Sequence, residues 1–395
     1  MFLFGGGHGK IIWIAAFSDN AEIYRKPAAR RDNMKNKIIR ILIAASLICA
    51  VLLLSGCGGD VSSSNTGETR IPEAEDIAFE TIDTHPDEPD DTEPPFFLTF
   101  NYNVTLEQGD EFDIHKYVSY IDNVDREVEL IVDGDVDVNS LGEYPLKLTV
   151  KDDSGNSSFA KMTVKVVEPV TPAPSGGTSG QVPELPKNYS KFVETYKKDG
   201  AMVGIDVSRW QGDIDFYEVA SAGAEFVIIR IGGFSDELFE DAYYANNINN
   251  AKEAGLKVGV YWYSEEDGAD AVRRHADYLY SLLDGKELDF PIFFDWEDYA
   301  DFENYKMNVR DLNEMFLAFK EEAEARGYTA SLYNSKYYLG LLWSDEVKDG
   351  GVWLAHYIEK TTYDGKYFLW QQGYGRIEGI DGDVDLDVFY PDALK

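Results

Sequence analysis

The segment FPIFFDWEDY, at residues 290–299, predicts a buried β-strand that ends in two acids. Side chains at positions i and i+2 of a strand point to the same face, so Asp295 and Glu297 are expected to point the same way. Their neighbours are mostly apolar or aromatic, and the segment contains no Lys or Arg. Because uncompensated charge is costly in such surroundings, the two acids are candidates for catalysis. An acidic strand end that leads into a solvated loop is the alternative.

On both sides of this strand, short apolar segments alternate with stretches of helical spacing. The spacing predicts helices, each ending near a Gly, at residues 214–222, 237–254, 268–284 and 309–326. Strands are predicted at residues 202–208, 225–233, 257–264, 290–297, 329–334, 351–357, 367–372 and 384–389. Repeated strand–helix units predict a parallel sheet, and eight strands predict a closed barrel. Little helix separates the last three strands, so the barrel is expected to be irregular on that side.

The C-terminal ends of barrel strands form the working rim of such a fold. Here that rim is predicted to combine acids with Tyr and Trp rings. This combination is typical of a carbohydrate site, because rings stack on sugars and acids act on the glycosidic oxygen; any one of these rings alone would more commonly be a core residue. The candidate substrate-binding residues are Arg230, Tyr261, Tyr263, Tyr333, Asn334, Trp353, Tyr357, Trp370 and Gln371.

The composition excludes several classes of protein. A formal net charge of −36 excludes a non-specific nucleic-acid binder, whose affinity comes from Lys and Arg on phosphates. The two cysteines, Cys49 and Cys57, both precede the predicted globular part, which therefore has no disulfide and no thiolate metal site. The five histidines show no metal-ligand spacing. We therefore expect neither a metal nor a cofactor.

Residues 1–57 form a predicted leader. From Met34, the expected true start, a basic segment and an apolar run lead to Leu-Ser-Gly-Cys at Leu54–Cys57. This resembles a bacterial lipoprotein signal with its lipobox, which implies cleavage before Cys57 and lipidation of its thiol. An ordinary signal-anchor helix is the alternative. Residues 58–95 are acidic and polar, and they predict a disordered tether.

Residues 96–168 predict a small all-β sandwich. Period-two alternation predicts strands at residues 97–107, 127–134, 144–151 and 159–168, with a hairpin turn at Asp153–Asn156. Three motifs resemble bacterial immunoglobulin-like domains of surface proteins: E-x-G-D-x-F-D from Glu107, G-E-Y from Gly142 and D-x-S-G-N from Asp152. A spacer or adhesive role is expected rather than a catalytic one. Residues 169–188 follow as a linker rich in Pro, Gly and Ser.

The motifs after residue 200 resemble the glycoside hydrolase family 25 lysozymes. They are G-I-D-V-S-x-x-Q-G-x-I-D-F from Gly204, F-V-I-I-R from Phe226, A-G-L-K-V-G-V-Y-W-Y-S from Ala254, F-D-W-E from Phe294, W-L-A-H-Y from Trp353, W-Q-Q from Trp370 and G-I-D-G-D-V-D-L-D from Gly379. The resemblance covers about residues 200–391 and does not extend to residues 1–185. It implies an α/β domain at residues 189–395, an irregular TIM-like (β/α)5(β)3 barrel. Residues 189–198 are expected to add a helix on the underside of this barrel.

The resemblance also implies roles for four acids in an N-acetylmuramidase that cuts the β-1,4 bond after N-acetylmuramic acid. Glu297 matches the general acid and Asp295 the second catalytic acid, while Asp206 matches a supporting acid. Asp385 is the expected fourth acid, with Asp383 and Asp387 as rivals. The substrate's acetamido group attacking with retention, and a water attacking with inversion, are both left open.

These features predict a monomeric enzyme whose partners are peptidoglycan glycan strands and, through a lipid anchor, the membrane. It is expected to face the cell wall outside the cytoplasmic membrane and to be partly released. Two alternatives are a wall-binding lipoprotein without activity and a glycosidase that acts on another wall polymer.

Overall fold

The computed structural model describes residues 91–169 and 188–394. The predicted leader with Cys57, most of the acidic tether and most of the linker lie outside the described residues. Within the two described ranges, no helix combines the length and apolar character needed to span a membrane.

The N-terminal domain is built from two small sheets. Its strands are β1 (Phe96–Phe100), β2 (Asn103–Glu107), β3 (Val118–Ile121), β4 (Glu129–Asp133), β5 (Gly142–Lys151) and β6 (Ser157–Val167). β1 pairs with β3, while the other sheet has the order β2-β6-β5-β4. The single strand expected at residues 97–107 is therefore wrong: the chain breaks after Phe100 and crosses from one sheet to the other. The predicted hairpin turn at Asp153–Asn156 does join β5 to β6.

The second domain is a closed barrel of eight strands with a short ninth strand at its rim. The strands are β7 (Met202–Val207), β8 (Phe226–Phe234), β9 (Leu238–Glu240), β10 (Lys257–Ser264), β11 (Ile292–Trp296), β12 (Ala330–Ser335), β13 (Val352–Ala355), β14 (Tyr367–Gly375) and β15 (Val384–Phe389). Neighbours around the barrel run β7-β8-β10-β11-β12-β13-β14-β15 and back to β7. The predicted α/β barrel is confirmed, and its irregular side is β13 to β15.

Helices flank the first five barrel strands. They are α1 (Tyr189–Tyr196), α2 (Phe216–Ser221), α3 (Tyr244–Glu253), α4 (Ala269–Leu283), α5 (Val309–Glu324), α6 (Lys336–Leu341) and α7 (Asp345–Lys348). The expectation of a helix from residue 237 is wrong at its start. Residues 238–240 instead form β9, which folds back on the end of β8 in an antiparallel pair, so local strand pairing wins over the helical spacing of this segment.

The last strand departs from the all-parallel sheet predicted from the sequence. β15 runs antiparallel to both of its neighbours, β14 and β7. The connection from Gly375 to Val384 is short, whereas a parallel crossover needs about a dozen residues or more. The reversal brings the beginning of β15 to the rim formed by the ends of the other strands. Asp385, the second residue of β15, lies at that rim for this reason.

Aromatic side chains close the opposite end of the barrel. Phe226 begins β8, Phe290 precedes β11 and Phe389 ends β15; all three are buried. The rings of Phe226 and Phe290 lie 5.3 Å apart, and those of Phe290 and Phe389 lie 4.7 Å apart. A Cβ on Gly259 would lie 2.9 Å from the Phe290 side chain, so only Gly fits next to these packed rings. Apolar packing therefore closes this end of the barrel.

The added helix α1 forms, but it does not lie under the barrel as expected. The ring of Tyr196 packs edge-on against Trp370 at 5.6 Å, and the backbone N–H of Tyr189 donates to the Arg376 carbonyl at 3.2 Å. Trp370 faces outward, because the next residue on β14, Gln371, points into the barrel. Helix α1 therefore covers the outer face of the barrel on the side that lacks crossover helices.

Candidate active site

The four acids singled out in the sequence meet at the rim of the barrel. Asp206 lies near the end of β7 and directly opposite Asp385 in the register with β15. Asp295 lies in β11, and Glu297 is the first residue after it. Burial, and after it the charges of Asp206 and Glu297, raises the pKa values of Asp295 and Asp385. The acids are therefore close enough to interact, although they come from three different strands.

The pair Asp295–Glu297 combines a buried carboxyl with an exposed one. Asp295 is only 7% exposed, whereas Glu297 is exposed at the surface of the rim. Burial, followed by the charge of Glu297, raises the pKa of Asp295 well above its usual value. Two like charges in such a site do not ionise together readily, so each carboxyl favours the protonated form of the other. A carboxyl that keeps its proton beside a second carboxyl is what general-acid catalysis requires.

Asp295 also has an acceptor that the described protein leaves unused. Its Oδ1 atom is buried, and within residues 91–169 and 188–394 no N–H group or hydroxyl donates to it, although a side-chain hydrogen bond with Glu297 contributes to the raised pKa of Asp295. An unpaired buried acceptor costs free energy, which a donor from a bound ligand would recover. Oδ1 is therefore suited to accept a hydrogen bond from a substrate N–H or O–H group.

Asp206 is held by a network of predicted substrate-binding residues. Gln371 donates from Nε2 to Asp206 Oδ2 at 2.8 Å. The other amide atom of Gln371, Oε1, accepts from the hydroxyls of Tyr333 at 2.9 Å and Tyr357 at 2.6 Å. Burial raises the pKa of Asp206 to about 6. These three residues thus fix the position of an acid, in addition to any contact with substrate.

The geometry separates the three rivals for the fourth acid. Asp383 pairs with Arg376 at 2.9 Å, which compensates its charge. Asp387 is fully buried and accepts from Trp353 Nε1 at 2.8 Å. Asp385 is half-buried, and burial raises its pKa well above the usual value. Asp385 is therefore the one of the three that both faces the site and remains accessible.

Asp387 supports Asp206 from beneath. Burial and then the charge of Asp206 raise the pKa of Asp387 well above its usual value, and a hydrogen bond between the two carboxyls acts in the same direction. The same bond lowers the pKa of Asp206. The raised pKa favours a protonated Asp387 that can donate to Asp206, whereas ionised Asp387 would leave its buried Oδ2 atom without a donor among the described residues.

Asp387→Asn is predicted to retain most activity and to stabilise the fold at neutral pH by about 1 kcal/mol or more. The amide can donate to Asp206 and accept from Trp353 without needing a proton. Because folding raises the pKa of Asp387, its contribution to wild-type stability is present at low pH and is lost as the pH rises through the folded-state value. Urea unfolding between about pH 4 and pH 8 would show that the free energy of unfolding depends less on pH in the variant than in the wild type. A loss of activity as large as that of Asp385→Asn would show that Asp387 is the acting acid.

Asp241 is a site residue that the sequence reasoning missed. Its carboxylate accepts from Arg230 Nε at 2.7 Å and from the backbone N–H groups of Arg209 and Tyr243, both at 3.0 Å. It is 2% exposed and follows β9, inside the segment predicted as helix. The available signal was Arg230 itself, because a buried Arg needs an acidic partner. Burial and the charge of Glu297 raise the pKa of Asp295, and the charge of Arg230 acts in the opposite direction.

The remaining candidates differ in whether they face the site. The Trp370 prediction is wrong: its indole faces helix α1 outside the barrel and donates to the His356 carbonyl at 2.8 Å. Asn334 is fully buried and donates to the Trp296 carbonyl and the Tyr299 hydroxyl, so it braces the segment around Glu297. Tyr261 and Tyr263 are half-buried at the end of β10. Trp353 is 2% exposed and supports Asp387.

Comparisons with known proteins find two family models that match this chain. A family model described as "Glycosyl hydrolases family 25" matches residues 205–379, and one described as "Bacterial surface protein, Ig-like domain" matches residues 98–166. The autolytic lysozyme of Clostridium acetobutylicum is 28% identical over 191 residues, which cover 48% of this chain and 56% of that protein. The chain thus spans little more than half the length of that relative.

Two further proteins resemble the same half of the chain. Lysozyme M1 of Streptomyces globisporus is 26% identical over 208 residues, which cover 49% of this chain and 69% of that protein. The crystal structure of a bacterial lysozyme from Streptomyces coelicolor is 26% identical, with a TM-score of 0.42, and the match covers 48% of this chain and 91% of that one.

Proposed function

We propose, from the premise that residues 205–379 are a glycosyl hydrolase family 25 domain, that this protein is a peptidoglycan hydrolase. Its proposed reaction is that of a lysozyme: cleavage of the β-1,4 bond between N-acetylmuramic acid and N-acetylglucosamine. The observation that carries the proposal is the group of four acids at one rim, where burial and the charge of Glu297 raise the pKa of Asp295. The resemblance to lysozymes seen in the motifs is confirmed by the family match and the relatives.

In the proposed reaction, the exposed carboxyl of Glu297 gives its proton to the glycosidic oxygen as the bond to the anomeric carbon breaks. The unpartnered Oδ1 atom of Asp295 favours substrate assistance over direct attack by water. Oδ1 accepts the N–H of the 2-acetamido group, whose carbonyl oxygen attacks the anomeric carbon and forms a cyclic oxazolinium ion. Water then opens that ring and gives a proton to Glu297, which restores the starting state.

The stereochemistry of the first product tests this step. Substrate assistance inverts the anomeric carbon twice, so NMR during the first minutes of digestion should show the β-anomer. An initial α-anomer would overturn the role of Asp295 Oδ1 and would support attack by an activated water. The muramidase proposal itself would survive that result.

A sedimentation and clearing assay with purified sacculi tests the activity itself. The full chain is expected to bind sacculi and to release soluble muropeptides. Binding without release would favour the wall-binding alternative. Release of sugar from another purified wall polymer, with the muropeptides unchanged, would favour a different glycosidase.

We also propose that the chain is tethered outside the cytoplasmic membrane through a lipidated Cys57, on the strength of the Leu54–Cys57 lipobox. In a bacterial host fed labelled palmitate, the wild type is expected to incorporate label and to fractionate with membranes. Cys57→Ala should lose the label, because lipidation needs the thiol. If the wild type fractionated with membranes but incorporated no label, as Cys57→Ala does, the signal-anchor alternative would be supported.

A further inference from the structure

The N-terminal domain packs against the segment that directly follows Glu297. That segment is a 3-10 turn at Tyr299–Asn304, and strand β3 of the N-terminal domain lies against it. Ser119 of β3 is fully buried, and its hydroxyl donates to the Tyr299 carbonyl at 2.6 Å. A second hydroxyl, of Thr99 on β1, lies 2.7 Å from that of Ser119. The contact is therefore an ordered polar network inside the protein.

Apolar packing continues across the same contact. Leu98 and Ile121 of the N-terminal domain are 3% and 2% exposed. They belong to one buried cluster with residues of the barrel, among them Trp296, Tyr299 and Phe302. Side chains from the two domains thus share a core, which is not expected of a spacer joined to an enzyme only by a linker.

The polar network leads to the backbone of Glu297. The N–H of Tyr299 donates to the Glu297 carbonyl at 2.8 Å, while Ser119 holds the carbonyl of the same tyrosine. On the barrel side, Asn334 donates to the Tyr299 hydroxyl at 2.7 Å. The position of Tyr299 is therefore set by both domains, and it fixes the backbone that carries the exposed carboxyl of Glu297.

The far end of the same loop is also held by the N-terminal domain. The N–H of Val309, which begins helix α5, donates to the Asp122 carbonyl at 2.9 Å. Arg126 forms two hydrogen bonds to Asp311, both of 2.7 Å. Asn308 Nδ2 also donates to the Val124 carbonyl. The N-terminal domain therefore holds the loop from Glu297 to α5 at both ends.

We propose that the immunoglobulin-like domain is a positioning element of the active site, which holds the loop after β11 so that Glu297 reaches the glycosidic oxygen. This inference rests on the proposed function. It gives the domain a role in the rate of the reaction, beyond that of a spacer or adhesive module. The physical reason is that misplacing a catalytic group by about 1 Å can cost on the order of 10²-fold in rate.

Ser119→Ala in the full chain tests the proposal. The variant removes the hydrogen bond to Tyr299 and keeps the rest of the contact. Its kcat is expected to fall about 10-fold while KM changes less than about twofold. Ser331→Ala is the matched control, because Ser331 is also a buried serine, 4% exposed, that donates to a backbone carbonyl, that of Gly351 at 3.0 Å. It lies away from the rim, so its kcat should stay near that of the wild type.

Hydrogen exchange gives a readout that does not depend on activity. Amides of residues 297–308 should exchange faster in Ser119→Ala than in the wild type or in Ser331→Ala. Equal kcat values and equal exchange in the two serine variants would overturn the inference. If the wild type itself releases no muropeptides, the proposed function fails, whereas the exchange result still decides whether the N-terminal domain orders this loop.

If Ser119→Ala does not fold, substitution of an exposed arginine at the same contact between the domains tests the proposal instead. Arg126→Ala removes the ion pair between Arg126 and Asp311. The side chain of Arg126 is 62% exposed. Its control is Arg326→Ala, which removes a surface pair of Arg326 with Asp277 near the other end of helix α5. Only Arg126→Ala is expected to lower kcat, by about two- to threefold, and to speed exchange at residues 305–312. Indistinguishable results for the two arginine variants would contradict the proposal.

Discussion

Glu297→Gln is expected to lower kcat on peptidoglycan by about 10³-fold, within the 10²- to 10⁴-fold range typical of a lost general acid. The amide has nearly the same shape but carries no transferable proton. KM should change little, because Glu297 is exposed at the rim and the other groups of the site remain in place. The measurement is the rate of muropeptide release from sacculi, together with sedimentation to show that the variant still binds.

Glu265→Gln provides a control for this prediction. Glu265 lies at the end of β10 and accepts from Tyr263 and Ser235, so its substitution removes a carboxylate from the same region without touching the pair. We expect it to retain most of the activity. If Glu297→Gln kept wild-type kcat, another group would have to be the proton donor.

Asp295→Asn is expected to lower kcat by about 10²-fold, the scale of losing one group that stabilises a developing charge. A neutral amide cannot balance the positive charge that forms on the acetamido nitrogen of the substrate. The substitution also removes the carboxylate next to Glu297, and a neighbouring like charge favours the protonated form of a carboxyl. Glu297 is then expected to lose its proton at lower pH, so the alkaline limb of the kcat/KM profile should move to lower pH.

The pH profile distinguishes this role from a structural one. A variant that only loosened the fold would lower kcat at all pH values and leave the limb where it was. Asp295→Asn with an unmoved alkaline limb would therefore contradict the proposed charge interaction between Asp295 and Glu297. Urea unfolding of the same variant should show no loss of stability, because burial of the ionised carboxyl is what raises its pKa.

The sequence predicted those parts of the molecule that depend on local pattern. The segment at residues 290–297 has both the apolar run of a buried strand and the i, i+2 spacing of its acids, and the structure contains β11 there with Asp295 and Glu297 at its end. Asp206, in β7, was assigned its supporting role from the family resemblance of the motif that begins at Gly204. In both cases the residues that the prediction used lie close together in the chain.

The parts that were missed depend on contacts between distant segments. The antiparallel direction of β15 follows from the short connection after Gly375, which the count of strands alone ignored. Trp370 and Gln371 were both placed in the site because they lie at the end of the same predicted strand, although neighbours on a strand face opposite ways. The contact of Ser119 with Tyr299 joins residues far apart in the chain, and no local pattern marks either residue.

Analysis of the newly formed reducing ends tests the central claim most directly. Purified sacculi would be digested with the full chain, reduced with borohydride and examined by mass spectrometry, with Glu297→Gln digested in parallel. The claim that Glu297 and Asp295 cleave the bond after N-acetylmuramic acid predicts muramitol at the new ends in the wild-type digest and almost none in the variant digest. Glucosaminitol at the new ends, or equal amounts of muramitol in both digests, would contradict it.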